Sequence, residues 1–369
     1  MDFGGINPVI LIAALMVSSV PILLAALGEA VVERSGVLNL GVEGMMIVGA
    51  IGGFIVTVHS GSPFLGFIGG ALAGVALSLI FALLTLVFQA NQVATGLALT
   101  MFGLGTASLA GQGYNGIKPP ATGAVPFGPL ADIPVFGPIL FGHDWVVYFS
   151  IFMTAGLWWM LKSTRLGLIL RAVGENHDAA HALGYKVNYI RLGAIAFGGA
   201  MAGMGGAYIS LVRVPQWTDG ITAGAGWIAL AIVVFASWKP WRVLLGAWLF
   251  GGITALQLNT QVAGGLPSGI IELITLAAAL CLILSFLVQK LRGKPAKLGK
   301  SGLILVGILL VASAACRIFG IDRIAIPVEY LSMAPYLITI LVLVIMSSGR
   351  GKSAVGAPAA LGQNFHASS

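Results

Sequence analysis

Runs of about twenty apolar residues recur along the chain and restrict its fold more than any other feature. They occupy residues 6–27, 41–58, 63–88, 92–111, 145–161, 190–212, 223–238, 243–260, 269–289, 301–319 and 331–347. A helix of that length crosses a hydrocarbon layer about 30 Å thick, whereas a membrane β-barrel is built from roughly ten-residue segments of alternating hydrophobicity. Only 8% of the 369 residues are charged, too few for the surface of a soluble domain. The sequence predicts an all-α polytopic membrane protein with about nine to eleven transmembrane helices, in which the short second helix is broken.

The net charge of +7 arises from basic residues that fall mostly on one side of the predicted membrane. The side that holds loops 28–40, 89–91, 162–189, 239–242, 290–300 and the tail after 348 carries 15 of the 19 Lys and Arg residues. Basic loops stay in the cytoplasm during insertion. We therefore expect a membrane protein with its N-terminus outside and its C-terminus in the cytoplasm. The basic surplus is a topology signal, and no nucleic-acid partner is expected.

Two regions differ from the apolar runs in composition. Residues 349–369 are small and polar, so we predict a disordered cytoplasmic tail after a transmembrane domain at residues 1–348. Within that domain, Gly66, Gly70 and Gly74 recur every four residues, as do Gly199 and Gly203. This spacing predicts helices that pack with their backbones in close approach.

A first polar interruption lies in GEAVVERSGVLNLGVEGMMIVGA, residues 28–50. Polar and ionisable groups at membrane depth are costly, so Glu29, Asn39 and Glu43 are expected to face a cavity or a partner. Broken helices with such residues line solute pathways in transporters. The pattern favours a solute pathway or gate, and an ordinary cytoplasmic loop with solvated charges is the alternative.

Uncharged polar residues mark a second interruption, FQANQVATGLALTMFGLGTA at residues 88–107. Asn91 and Thr95 share one helix face, and Gln92 lies three residues before Thr95. These groups suit hydrogen bonds to hydroxyls or heterocycles of a solute, and bonding between helices is equally consistent with them. In residues 214–231, Trp217 and Trp227 fit anchors at the membrane interface, and the polar stretch 219–226 fits a half-helix near the entrance.

The most polar segment is RAVGENHDAAHALGYKVNYIRL, residues 171–192. His177 and His181 are spaced as in zinc proteases, but Asp178 replaces the glutamate of that pattern and no third ligand is evident. We therefore expect no metal site and no catalytic residue. The segment instead predicts a short amphipathic helix at the cytoplasmic surface that starts near Glu175 and ends at Gly184. Such a helix can dock into a groove of a cytoplasmic partner.

Several motifs in order resemble the permeases of ABC importers, in the simple-sugar and nucleoside branch related to branched-chain amino acid and ribose permeases. They are VVERSGVLNLGVEGMMIVGA, NQVATGLALTMFGLG, TRLGLILRAVGENHDAAHALGYKV, GGAYISL, TAGAGWIALA and WRVLLGAWLFGG. The resemblance covers residues 20–262 and resumes at 325–363, which ends in GAPAALGQNF. It departs from the family at Ala225, where a basic residue is common, and at residues 264–324, which look like an inserted helical hairpin.

The resemblance implies a type II ABC importer fold without a cofactor. It also implies three protein partners, which are ATP-binding subunits, a second permease subunit and an extracytoplasmic solute-binding protein. A small-molecule solute, with purine nucleosides the best known in the closest group, would move by alternating access within the lipid bilayer. The implied substrate-pathway residues are Glu29, Ser35, Asn39, Glu43, Asn91, Gln92, Thr95 and Trp217. The implied ATPase-coupling residues are Gly174, Glu175, Asn176, Asp178, Ala180 and Gly184.

Two other functions are weighed against this one. A secondary transporter acting without an ATPase predicts paired ionisable residues at mid-span, and beyond Glu43 and Glu272 the chain has few of them. A membrane-embedded enzyme predicts a nucleophile with its base or a metal cluster, and the sequence offers no credible set. The chain is therefore predicted not to be an enzyme, with ATP hydrolysis placed in a partner.

Overall fold

The computed structural model describes residues 7–262 and 356–365, together with 266–267, 307, 310–311, 323–324, 330, 333 and 337. The chain divides into two compact units. One contains residues 13–252 and 336–369, and the other contains residues 1–12 and 253–335. The polar clusters considered below belong to the first unit.

Helices dominate the described residues and confirm the predicted all-α membrane class. They are α1 (Pro8–Arg34), α2 (Val42–Ser60), α3 (Pro63–Ala82), α4 (Gln92–Gly111), α5 (Trp145–Ser163), α6 (Arg165–Glu175), α7 (His177–Ala182), α8 (Val187–Tyr208), α9 (Ala225–Phe235) and α10 (Pro240–Val262). Short π-helical turns extend α3 over Leu83–Val87 and α8 over Ile209–Arg213. In the loop between α4 and α5, Gly128–Leu130 is a 3₁₀ turn and Gly137–Phe141 is a π-helical turn.

Seven helices in the described ranges are long and apolar enough to cross a membrane. They are Pro8–Arg34, Val42–Ser60, Pro63–Val87, Gln92–Gly111, Trp145–Ser163, Val187–Arg213 and Pro240–Gln261. The eighth apolar element, α9, has 11 residues and is too short to span. The half-helix predicted at residues 219–226 is wrong in its position, because left-handed Gly220 and Gly224 keep that stretch in turns and the helix begins only at Ala225. The last three predicted runs, 269–289, 301–319 and 331–347, lie outside the continuously described residues.

The predicted break in the second helix is wrong in its position. The helix α2 runs without interruption for 19 residues from Val42 to Ser60, and the non-helical backbone lies in front of it at residues 35–41. Gly36 adopts a left-handed conformation with φ of +86°, which ends α1. Gly36 and Gly41 therefore lie in the turn between two intact helices, and Gly44 lies inside α2.

Polar side chains fix the starts of four helices by accepting backbone N–H bonds of the first turn. The Asn91 side chain accepts from Ala94 at the start of α4, and Asp144 accepts from Val146 at the start of α5. Thr164 and Asn176 begin α6 and α7 in the same way. The extended backbone of Asn176 also separates α6 from α7, so the predicted single helix at 174–184 is the end of one helix followed by a six-residue second one.

The interior of the first unit is built on close contacts among α2, α3 and α8. A Cβ atom placed on Gly203 of α8 would lie 2.2 Å from the Gly70 carbonyl oxygen of α3. One placed on Gly49 of α2 would lie 2.3 Å from the Gly203 Cα. Only glycine permits backbones to approach this closely, which confirms the packing predicted from the four-residue spacing.

The predicted disorder of the tail is wrong for residues 356–365, which pack against the first unit. Ala360 is 3% exposed and Phe365 is 6% exposed. The Ala360 amide donates to the Gly174 carbonyl at 2.9 Å, and the Gly362 amide donates to the Gly36 carbonyl at 3.1 Å. Small side chains let this segment, called the tail segment below, lie flat on helical backbone. The same small, polar composition is typical of disordered chain, and for that reason it predicts disorder.

In the other unit, two strands of two residues each pair antiparallel. They are β1 (Leu266–Pro267) and β2 (Arg323–Ile324), with Leu266 opposite Ile324. This pairing brings together the two ends of the predicted insertion at residues 264–324. The hairpin inside it lies outside the described residues, so it stays a prediction.

We predict that Gly203→Ala lowers the free energy of unfolding by about 1–3 kcal/mol, because the added methyl group meets backbone that cannot move away alone. Thermal unfolding of the purified protein in detergent measures this. The matched control is Gly193→Ala on the same helix, where a Cβ has nothing within 4 Å. Equal unfolding temperatures for the two variants would contradict the packing argument.

Candidate functional site

Glu43, near the start of α2, holds the start of the short helix α9. Its carboxylate accepts three hydrogen bonds, from the Thr222 hydroxyl at 2.5 Å, the Gly224 amide at 3.0 Å and the Gly226 amide at 2.7 Å. The side chain is 4% exposed. Unpaired amides at a helix N-terminus favour a negative group, so Glu43 fixes α9 against α2. This arrangement is called the Glu43 latch below.

The non-helical residues 35–41, called the 35–41 turn, are held by side chains from other helices. Glu29 accepts from the Asn39 amide at 3.3 Å and from the Asn39 side chain at 3.4 Å. Gln92 of α4 accepts from the Leu38 amide at 2.8 Å. The Ser35 hydroxyl is satisfied within α1, by the Val32 carbonyl at 2.6 Å. Buried backbone of this kind requires such partners, because an unpaired polar group costs about 1–3 kcal/mol.

Arg191 of α8 is completely buried, at 0% exposure, and joins three segments. Its guanidinium donates to the Ser35 carbonyl at 3.2 Å and to the Gln363 carbonyl at 3.1 Å. A third guanidinium nitrogen lies 3.5 Å from Nδ1 of His177. Arg191 therefore connects the 35–41 turn, the tail segment and α7 at one point.

The tail segment also bonds to the start of α4. The Asn364 side chain donates to the Gln89 carbonyl at 2.7 Å, and the Gln89 side chain donates to the Phe365 carbonyl at 3.2 Å. The Gln92 side chain donates to Asn364 Oδ1 at 3.2 Å. Gln92 thus contacts the tail segment with its nitrogen and the 35–41 turn with its oxygen.

The helix α7 has one exposed face and one buried face. Leu183, just after it, is 77% exposed, and the Asp178 side chain is 76% exposed. On the opposite face, His177 and Ala180 are 8% and 2% exposed. The Phe365 ring stacks edge-on against His177, with ring centroids 5.4 Å apart.

The predicted coupling residues divide between these two environments. Glu175, Asn176, Asp178 and Gly184 are exposed, and Asn176 also caps α7. Gly174 and Ala180 are buried and so do not belong to the exposed face. A Cβ on Gly174 would lie 2.1 Å from the Arg34 carbonyl oxygen, so this glycine seats α6 on the end of α1.

The predicted pathway residues are almost all buried. Asn91 is exposed and serves as the cap of α4, whereas Glu29, Ser35, Asn39, Glu43, Gln92, Thr95 and Trp217 are between 0% and 8% exposed. An interfacial anchor is wrong for Trp217, which is 1% exposed with its indole nitrogen against Gly111. The structure brings Glu29, Ser35, Asn39 and Gln92 together at the 35–41 turn. Glu43 and Trp217 lie with the segment that precedes α9.

Sequence reasoning missed Arg191, Thr222 and Phe365. By sequence, Arg191 is one of the basic residues at the edge of the membrane. The sequence does not show that its side chain is buried. His177 and Arg191 lie on different helices, so their spacing of 14 residues does not predict the contact between them. Phe365 follows the apolar run by many polar residues, so only the folded chain places it beneath α7.

Burial and the nearby Arg191 cation lower the pKa of His177 below its ordinary value of 6.5, and Asp178 partly offsets this. The imidazole is therefore neutral at neutral pH, and its Nδ1 can accept from Arg191. Protonation would place a second cation beside Arg191 under Phe365. The stability that neutral His177 contributes is fully present above pH 6.5 and is lost as the pH falls through the lowered pKa.

We predict that Glu43→Gln weakens the fold by about 1–3 kcal/mol, since one acceptor oxygen is replaced by a donor that faces N–H groups. Thermal unfolding in detergent measures the change. Asp219→Asn makes the same charge change at an exposed position in the same loop and serves as the control. If both variants unfold at the same temperature, the Glu43 latch does not hold α9.

We also predict that the tail segment loosens as the pH falls below 6.5, because protonated His177 is disfavoured beneath Phe365. Hydrogen exchange of residues 356–365 at pH 7.5 and 5.5, corrected for intrinsic rates, measures this. A His177→Gln variant should lose the pH dependence, and His59→Gln, an exposed histidine whose ring packs on Tyr114, should keep it. Unchanged protection across this range in the unmodified chain would rule out the effect.

Comparison with known proteins supplies the family. Residues 11–279 match the family described as the permease component of the branched-chain amino acid transport system. The putative glucose ABC transporter permease protein of Haloferax volcanii is 41% identical over 256 residues, which cover 68% of this chain and 78% of that protein.

Two further relatives are each 32% identical. The guanosine ABC transporter permease protein of Bacillus subtilis matches over 264 residues, covering 68% of this chain and 82% of that protein. The nucleoside ABC transporter permease protein of Lactococcus lactis subsp. cremoris matches over 277 residues, covering 72% and 86%. Together with seven helices able to cross a membrane among the described residues, these matches show that the chain belongs to the branched-chain amino acid transport permease family and is the membrane-spanning permease subunit of an ATP-driven ABC importer.

Proposed function

We propose that this chain imports nucleosides or simple sugars across a bacterial cytoplasmic membrane. It would work with ATP-binding subunits, a second permease subunit and an extracytoplasmic solute-binding protein, and would not itself hydrolyse ATP. The observation that carries the proposal is α7, whose outer face is free for a partner and whose inner face rests on the tail segment and Arg191. The substrate class is supported by relatives named for glucose, guanosine and nucleosides.

The outer face of α7 is the contact for the ATPase in this proposal. Leu183 supplies an exposed apolar side chain beside the small Ala179 and Ala182, and Asp178 and Glu175 supply charge at the rim. A small apolar centre with a polar rim is the composition of a protein interface. Gly184 ends the helix in the left-handed conformation, with φ of +86°, so that the chain turns back toward α8.

Motion of α7 would reach the pathway through the tail segment. His177 and Ala180 press on Phe365, and the same segment bonds to Gly36 and to Gln89. Each hydrogen bond contributes about 0.5–1.5 kcal/mol, and several of them join the tail segment to its neighbours. Together they would let the segment move as one body with the 35–41 turn and the start of α4. This link accounts for how an ATPase at the surface changes the exposure of groups inside the membrane.

The pathway itself is proposed to open at the Glu43 latch and the 35–41 turn. Glu29, Ser35, Asn39, Glu43, Gln92, Thr95 and Trp217 are buried in this structure, so they would meet solute only when α9 or the turn separates from α2. The exposed Asn91 would contribute by holding the start of α4. Conversion between such states is how alternating access exposes a site to one side at a time.

The orientation is proposed from charge. Arg34, Lys162, Lys186, Lys239 and Arg242 lie at the same end of their spans as α7, at the ends of α1 and α5 and the starts of α8 and α10. Basic residues are retained on the cytoplasmic side. In this proposal α7 and the tail segment lie in the cytoplasm, where an ATPase can reach them, and the N-terminus lies outside.

Reconstitution into liposomes tests the function. The chain is combined with its genomic-neighbour ATPase, permease and binding protein, and uptake of labelled guanosine and glucose is followed with and without ATP. We expect ATP-dependent uptake of one class, and none by the chain alone. Flux through the chain alone without ATP would support the secondary transporter instead and overturn the proposal.

We predict that Leu183→Ala reduces ATP-dependent uptake about tenfold, as expected when a central apolar side chain is removed from an interface. The complex should still assemble, since Leu183 is 77% exposed in the subunit. Leu168→Ala on α6 truncates a side chain that is 61% exposed and is the control. Full uptake by the Leu183 variant would remove α7 as the coupling contact.

A further inference from the structure

A cavity of about 450 Å³ lies at the ends of several spans and is lined by basic side chains. They are Arg34, Lys162, Arg171, Lys239 and Arg242. No carboxylate belongs to its lining. Within the described residues, none of these five cations makes an ion pair with a carboxylate within 4.0 Å. This cavity is called the basic cavity below, and five gathered cations without a countercharge in contact indicate an anionic ligand.

The nearby acidic groups do not neutralise the basic cavity. Glu33 accepts a hydrogen bond from the Trp238 indole nitrogen, so it is already engaged on the inner side. Glu175 lies close enough to Arg34 to interact with it, but it is outside the cavity lining. At least three of the cations remain for a ligand, since the Lys162, Lys239 and Arg242 side chains are exposed.

The position of the basic cavity is that of the membrane interface. Arg34 is the last residue of α1, Lys162 is one residue from the end of α5, and Lys239 and Arg242 flank the start of α10. These helix ends mark the level at which lipid headgroups lie. A phosphate there is within reach of lipid that surrounds the protein.

Tryptophans beside the basic cavity support a lipid over a free anion. Trp158 and Trp241 line it with rings 6.4 Å apart and are 40% and 42% exposed, and the Lys162 ammonium lies 4.9 Å from the Trp158 ring centre. Indole rings at this depth favour the zone between headgroups and acyl chains. Apolar side chains continue along both helices, with Trp159 at 59% and Leu245 at 62% exposure.

We propose that the basic cavity binds the phosphate headgroup of an anionic glycerophospholipid. The acyl chains lie along the exposed apolar faces of α5 and α10. Such a site requires only that the chain lies in a membrane, whatever its substrate and whether or not it is coupled to an ATPase. A lipid at this place would join the end of α1 to α5 and to the turn before α10.

Lipid binding to the purified full chain tests the site. Native mass spectrometry of the delipidated protein in detergent measures apparent affinities for phosphatidylglycerol and for phosphatidylcholine with the same acyl chains. We expect clear preference for phosphatidylglycerol, and Lys162→Gln with Lys239→Gln should weaken it about 25-fold, or about fivefold for each charge. The matched control is Lys118→Gln with Lys186→Gln, two lysines outside the lining, which should retain the preference.

Further arms separate the possible outcomes. Lys162→Arg with Lys239→Arg changes the same two positions but keeps their charges, and this variant should keep binding. A loss seen only in the glutamine variant then reflects the missing charges and not substitution at these positions. Inorganic phosphate or glycerol phosphate at millimolar concentration should not displace phosphatidylglycerol. Equal affinity for both lipids, displacement by the free anions, or equal weakening in the control variant would each overturn the proposal.

Discussion

The 35–41 turn lies between two membrane-spanning helices, and the arrangement of the candidate site depends on satisfying its backbone. Buried non-helical backbone persists only where protein groups replace water as hydrogen-bond partners. Glu29, Gln92, Arg191 and the tail segment supply those partners from four separate parts of the sequence. The same contacts that make the turn possible therefore also connect it to α4, α7 and α8.

The first unit contains two kinds of packing. The α2, α3 and α8 helices meet through glycines whose backbones nearly touch, and such an interface has little room for side-chain adjustment. The Glu43 latch, the tail segment and α7 are held by hydrogen bonds and a few ring contacts, which can exchange with other partners. A transporter needs both, a framework that keeps its geometry and attachments that can shift.

Arg34 takes part both in the packing of α6 and in the basic cavity. Its carbonyl lies against the close approach of Gly174, while its side chain lines the cavity. Glu33, one residue earlier, bonds to Trp238 in the turn before α10. The end of α1 thus contacts both α6 and the α9–α10 turn, so a ligand in the basic cavity would bind next to the contact between α1 and α6.

Much of the site could be anticipated from local pattern, because local pattern reflects short-range physics. The polarity of residues 171–192 marks an exposed helix, and α7 has its start at Asn176 and its left-handed glycine at Gly184. Glu29, Asn39 and Glu43 stand out because charged and amide side chains are rare in an apolar stretch. Their partners could not be read in the same way, since Thr222 and Gln92 are ordinary residues in sequence and become partners only through distance in space.

The sequence by itself determined the membrane class, seven of the helical spans among the described residues, the close packing of glycine-bearing helices and the exposed short helix α7, since each follows from periodicity and hydrophobicity within one segment. Only the tertiary structure decided that α2 is intact, that Glu43 holds α9, and that residues 356–365 are ordered beneath α7. The physical reason is that a buried polar group is stabilised by whichever partner the fold brings to it. Arg191 finds carbonyl groups 156 and 172 residues away, and no local pattern encodes such a pairing.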